Sequence, residues 1–180
     1  MEKPRVYVGT YDKYSMGSIK GDWLELSNFE NKEAFLKACK KLHKDESSPE
    51  FMYQDFENFP RVLYSESNIT KVFDYLKAIE SMDNDMIEAF NYFVSDVYYG
   101  WSNADSMKKS FESSFQGKYP PSSLFLDTEL EFTHQYVESH EILKGMDENL
   151  HGYFDFHRYS QMLFTAYYTS VNEYVFTLNY

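Results

Sequence analysis

Rings set the first limit on what this chain can become. It carries 17 Tyr, 16 Phe and 2 Trp in 180 residues, so aromatic side chains make up 19% of it. An acidic disordered segment is short of such residues, and a folded chain is expected. The length suits one ordinary domain or two to three small modules. So small a chain cannot bury every ring internally, and tyrosine, with an apolar body and a polar tip, suits a protein interface.

Hydrophobic periodicity and turn residues predict an α+β chain of short elements. Arg5 to Tyr11 and Ile19 to Leu26 are strand candidates, and Phe51 to Phe56 alternates apolar and polar as a third. Between them Asn31 can cap a helix through Lys41 with Phe35, Ala38, Cys39 and Leu42 on one face. Further helices are expected from Asn68 or Thr70 through Ile79, and from Asp83 or Asn84 until Gly100. More are expected from Ala104 to Phe115, from Asp127 to Leu143, and beyond an Asp155 cap, with Phe156, Tyr159, Leu163 and Tyr167 on one face. Val171 to Leu178 reads as a terminal strand. Breaks near Pro60 and near Gly100 to Ser102 divide the chain into three expected modules. These are an N-terminal α+β module (1–62), a central acidic helical module (63–104) and a C-terminal α+β module (105–180).

Charge is distributed unevenly over them. The first segment holds ten bases against eleven acids, the second two against seven, and the third five against eleven, for a net charge of −12. No Lys or Arg lies between Lys77 and Lys108, an interval holding Glu80, Asp83, Asp85, Glu88, Asp96 and Asp105. None lies between Lys118 and Lys144, which holds Asp127, Glu129, Glu131, Glu138 and Glu141. A nucleic-acid binder gains affinity by neutralising phosphates, so this balance argues against direct DNA or RNA binding and for a basic partner. Rings stacking on bases would need interleaved cations that the C-terminal part lacks.

Catalytic signatures are sparse. His43, His134, His140, His151 and His157 form no metal-ligand spacing and read as solvated surface residues. Cys39 falls on an apolar helix face, as a buried structural thiol would. A lone cysteine forms no internal disulfide, which fits a reducing cytoplasm. Gly9, Gly17 and Gly21 are spaced wrongly for a phosphate loop, and no EF-hand spacing occurs. No apolar run approaches the roughly 18 residues of a membrane span, and Met1 to Arg5 lead into no apolar signal core. No cofactor, metal or catalytic residue is expected, though the many carboxylates leave an acid/base pair open.

The acidic intervals are ordinarily read as solvated helix faces. Like charges at helical spacing, such as Asp85 with Glu88 and Glu138 with Glu141, each cost about 0.2–0.5 kcal/mol when unpaired. Surface carboxylates on successive helices can sketch the charge pattern of B-form DNA, which has one negative charge per about 1.7 Å of axis. The alternative is a generic acidic protein–protein interaction module without DNA mimicry.

Specific blocks then carry a resemblance. They are Val6-Tyr-Val-Gly-Thr-Tyr-Asp-Lys-Tyr14, Gly17-Ser-Ile19 with Gly21 and Trp23, and Ala38-Cys39. Leu42-His-Lys-Asp-Glu46, Pro49-Glu50, Phe51-Met-Tyr-Gln-Asp-Phe-Glu57 and Ser65-Glu-Ser67 follow. Tyr153-Phe-Asp-Phe156, Tyr159, Leu163-Phe164 and Val175-Phe176 form a C-terminal block. In this order and spacing, over about half the chain, they resemble the ArdA family of antirestriction proteins. The resemblance implies a non-catalytic protein of a phage, plasmid or conjugative element, acting in the bacterial cytoplasm. It implies an elongated dimer of three small modules whose acidic surface imitates bent B-form DNA. Such a dimer occupies the DNA-binding channel in the specificity and methyltransferase subunits of Type I restriction–modification enzymes and spares incoming DNA. The expected mimic acids are Glu80, Asp83, Asp85, Glu88, Asp96, Asp105, Asp127, Glu129, Glu131, Glu138 and Glu141. The expected dimer contact is Tyr153, Phe154, Phe156 and Tyr159.

Overall fold

A computed structural model describes residues 2–100, 103–123 and 125–178. Chain contacts divide it into two compact units, Met1–Ser95 with Tyr99–Lys108, and Asp96–Tyr98 with Lys109–Tyr180. The α+β class read from the sequence is the one found. Of the expected break at Gly100 to Ser102, Trp101 and Ser102 lie outside the described residues.

The first unit is built on the antiparallel sheet β2–β1–β3, with β1 (Arg5–Thr10) central between β2 (Asp22–Glu25) and β3 (Phe51–Glu57). Val6 and Val8 of β1 are fully buried, the inward half of a period-2 strand. Between β1 and β3 the register slips, with Tyr7 opposite Asp55 and Val8 opposite Tyr53, so Gln54 is the extra residue of a bulge. After β1, Thr10 caps the short α1 (Tyr11–Ser15) by accepting from the Lys13 N–H. Asn31 caps α2 (Lys32–Leu42) by accepting from the Ala34 N–H. That helix buries Phe35 and Cys39. The Phe35 ring meets Tyr53 of β3 and Phe73 of α3 (Thr70–Ile79) at 5.9 and 5.6 Å. Helix α4 (Asn84–Tyr92) follows, and the Tyr75 phenol donates to Asn91 at 2.7 Å across the α3–α4 pair. Burial pushes that phenol up to about 12.

Gly21 is fixed by a close approach. A Cβ there would lie 2.2 Å from the Val8 carbonyl oxygen, a backbone atom that cannot swing aside. Gly21→Ala should therefore pry β2 from β1 and cost about 2 kcal/mol, the usual size of an overpacking penalty. Urea unfolding measures it; an unchanged midpoint would show that the strands yield at this point.

Helix α5 (Ala104–Ser114) ends in the second unit, where the sheet order is β4–β6–β5. Central β6 (Tyr174–Thr177) buries Tyr174, Val175 and Phe176 between β4 (Phe115–Lys118) and β5 (Tyr168–Val171). Helices α6 (Thr128–Ser139) and α8 (Phe156–Ala166), capped by Asp127 and Asp155, join this core through Phe132 and Leu163. Tyr119, Tyr136, Tyr159, Phe164 and Tyr168 pack around it half-buried. A short α7 (Glu148–His151) lies between the two helices in sequence.

Several expected boundaries move. The second strand is only four residues long. Helix α4 gives way at Phe93 to a π-helical turn through Val97, so Gly100 does not terminate it. Phe115 opens β4, where Gly117 at φ 129° takes a backbone conformation suited to glycine within a strand rather than a break. Helix α6 stops at Ser139 because Glu141 turns left-handed at φ 51°. The Glu141 and Ile142 N–H groups then donate back to Glu138 and Val137, a Schellman ending made without glycine. The expected terminal strand is a hairpin, reversed at Asn172 with φ 56°, a value asparagine tolerates better than most residues. Helix α7 has no counterpart among the elements expected from sequence.

Candidate interaction surface

Four acids of the first interval lie at the end of α3 and along α4. Glu80, Asp83 and Asp85 are exposed, and Glu88 is half-buried. Asp83 caps α4 by accepting from the Met86 N–H at 2.9 Å. Its charge and that of Asp85 thus sit against the positive end of a helix dipole, which offsets part of their mutual repulsion. Asp96 and Asp105 are exposed as well. Free of bases in sequence, this corner is not free of them in space, because the Lys108 ammonium reaches back to donate to Ser81 at 2.8 Å.

In the second interval the acids have diverse roles. Asp127 caps α6 through the Leu130 N–H at 2.7 Å. Glu129 accepts from the Ser170 hydroxyl at 2.9 Å, and Glu131 accepts from Gln135 at 3.1 Å. Glu141 carries its own counter-ion, Lys144, at 2.5 Å. Asp127, Glu138 and Glu141 are exposed, whereas Glu129 and Glu131 are half-buried. Of the eleven acids singled out from sequence, eight face water.

The C-terminal aromatic residues divide similarly. Tyr153 is 85% exposed. Phe154 is half-buried and meets Phe156 and Tyr159 at 4.8 and 5.4 Å. Phe156 also stacks on His134, whose other neighbour is Phe125, both at 3.7 Å. Burial there pulls the His134 pKa below its ordinary value, against the opposing pull of Glu131. The same unit leaves Ile142, Met146, Leu150, Met162 and Tyr167 exposed.

One polar cluster escaped the sequence reading. His43, expected at the surface, is 1% exposed. The signal was present: Phe35, Cys39 and His43 recur at the i+4 spacing of one helix face. The Lys13 ammonium lies 2.8 Å from His43 Nδ1 and 2.9 Å from both Asp45 and Glu46. Thr10 donates its hydroxyl to Glu46 at 2.7 Å. Since an ammonium only donates, His43 Nδ1 is the acceptor and Nε2–H donates to the Val8 carbonyl at 3.1 Å. Hydrogen bonding to Lys13 holds Asp45 down at about 2. Burial, the largest single influence, pushes Glu46 up and Lys13 down, yet hydrogen bonds and charge attraction among Lys13, Asp45, Glu46 and Thr10 together outweigh it and leave Glu46 below and Lys13 above their usual values. His43, Asp45 and Glu46 bring ligand atoms within 4.8 Å of one another, as a metal site would. The lysine ammonium already supplies the cation, so the cluster is a structural knot. Nor is Cys39 a nucleophile, since burial raises its thiol to about 12.

The knot is made by Thr10, Lys13 and the stretch from His43 to Glu46, within the blocks that carried the family resemblance. The family model described as antirestriction protein (ArdA) matches residues 6–177, spanning both sheets. The chain belongs to the ArdA family of antirestriction proteins. A comparison with curated proteins finds no match. Membership sets the activity as antirestriction, the inhibition of restriction–modification, with the restriction–modification enzyme as partner. No described helix is long and apolar enough to cross a membrane.

Two of the clefts in the second unit carry aromatic walls. One, of about 570 Å³, is lined by Phe125, His134, Phe156 and the acids Glu131, Glu138 and Glu141 with Lys144. The other, of about 650 Å³, is walled by Tyr119, Phe132, Tyr136 and Tyr168 with Glu138. Burial raises the Tyr119 and Tyr168 phenols above their usual values, so both stay neutral.

Proposed function

We propose that this antirestriction protein acts as a decoy for B-form DNA in the DNA-binding channel of Type I restriction–modification enzymes. The observation that carries the reading is the exposure of eight of the eleven acids in the two base-free intervals of a chain with net charge −12. Cations lining the channel meet these carboxylates as they would meet phosphates, and no chemistry is required. Incoming mobile-element DNA is spared in the bacterial cytoplasm because the channel is filled. The contact reaches the specificity and methyltransferase subunits. The proposed organisation is a chain of three modules, 1–62, 63–104 and 105–180, paired as a homodimer. Tyr153, Phe154, Phe156 and Tyr159 form the dimer contact, and the exposure of Tyr153 supports that placement.

The decisive experiment measures restriction by a Type I enzyme against protein, DNA and salt. Inhibition should be competitive with DNA and should fade as salt rises, since screening acts over about 8 Å at physiological ionic strength. Inhibition indifferent to DNA concentration would remove the decoy reading, and a generic acidic module would not compete at all. Light scattering at micromolar concentration should report twice 21.5 kDa. A monomer mass would count against the dimer alone.

A further inference from the structure

The larger of these two clefts has a chemistry of its own. Its rings stand as walls, with Tyr136 and Tyr168 6.0 Å apart at 68° and Tyr119 edge-on to Phe132 at 5.0 Å. His140 stacks on Tyr136 at 3.9 Å and steadies it. The polar groups at these walls are rich in acceptors. Gln116 spends its amide N–H groups on the Ser114 carbonyl and the Thr177 hydroxyl, at 3.3 and 2.9 Å. Gln135 donates to Glu131 at 3.1 Å. Neither amide oxygen has a described donor, so each is left as an acceptor. Glu138 adds an exposed carboxylate, and no Lys or Arg is among the described residues that line the cleft.

Ring faces attract cations, and acceptor oxygens need N–H donors. A guanidinium answers both demands, being planar, weakly hydrated and a donor from five N–H groups. We infer that the cleft between Tyr119, Tyr136 and Tyr168 seats an arginine side chain of a basic protein partner, which stacks on the rings and donates to Glu138 and the glutamine oxygens. The inference rests on the decoy reading only for the identity of the carrier, the cation-lined channel of the restriction enzyme. It adds a point of shape recognition to a surface otherwise governed by charge.

Two measurements on the full chain test it. In the first, N-acetylarginine amide is titrated while the tyrosine ring signals are followed by NMR, with the citrulline analogue as its uncharged, near-isosteric control. Arginine should shift the signals of Tyr119, Tyr136 and Tyr168 saturably, and citrulline should not. Glu138→Gln, at an exposed position where the fold is safe, should weaken that response several-fold, and Tyr136→Leu should abolish it. Equal shifts with both probes, or a response untouched by Glu138→Gln, would overturn the inference. In the second, Glu138→Gln and Tyr136→Leu are assayed against a Type I enzyme, with the loss of the ring wall expected to weaken inhibition about tenfold. A parent that inhibits, but no better than its folded variants, also overturns the cleft as a partner site. A parent that binds arginine but does not inhibit leaves the cleft standing and removes the decoy reading instead.

Discussion

Neutralising Glu80, Asp83, Asp85 and Asp105 together, as Gln or Asn, should weaken inhibition of a Type I enzyme by about 30-fold at low salt. All four are exposed, and no described ion pair engages them. Each exposed carboxylate paired with a channel cation is worth about 0.5 kcal/mol, and four amount to about 2 kcal/mol. One change alone should alter inhibition by no more than two- to threefold, because the energy is spread. The gap between parent and variant should close as salt rises and screening removes what the carboxylates contributed. Asp83→Asn keeps an oxygen able to accept the Met86 N–H, so α4 retains its cap. Relief of like-charge repulsion should leave the melting temperature unchanged or slightly raised. A variant that folds and inhibits as well as the parent across the salt series would refute this account of the partner contact.

The second large effect lies in the knot around Lys13. Lys13→Ala should cost about 2 kcal/mol, the size expected for losing charged hydrogen bonds at a half-buried site. The lysine side chain is 12% exposed and that of Glu46 15%. Without the ammonium, Glu46 keeps only the Thr10 hydroxyl, and His43 Nδ1 loses its donor. The pH dependence has a definite sign. Asp45 and Glu46 have folded pKa values below their ordinary ones, Asp45 at about 2 against 3.8. Their contribution is therefore complete above the ordinary carboxylate range and is lost as pH falls from about 5 toward 2. Urea midpoints at pH 7 and pH 3 should fall together toward acid in the parent and change less in Lys13→Ala. If the two proteins share a midpoint at pH 7, the knot is not a stabilising element.

Much of the local structure was legible because it depends on neighbours in sequence. Asn31, Asp83, Asp127 and Asp155 each stand one residue before a helix and cap it, a relation confined to three or four positions. Strand β1 was legible from its β-rich composition, whereas the alternation expected of β3 is broken at its bulge, where adjacent Met52 and Tyr53 are both buried. The hairpin turn at Asn172 and the left-handed ending at Glu141 were not legible, since neither position carries the glycine that marks such turns.

Sequence by itself determined the net charge, the two base-free intervals, the α+β class and, through its ordered blocks, the family. These are properties of composition and of residues close along the chain. Tertiary structure alone decided how each charge is used. It folded Lys108 back to Ser81, turned Glu129 toward Ser170, and sealed His43 against Val8 beneath Lys13. It also stood Tyr119, Tyr136 and Tyr168 around one cleft, although they span 49 positions of sequence. Whether a carboxylate meets water or a cation depends on groups within a few ångströms, and only the folded chain brings groups so distant in sequence that close.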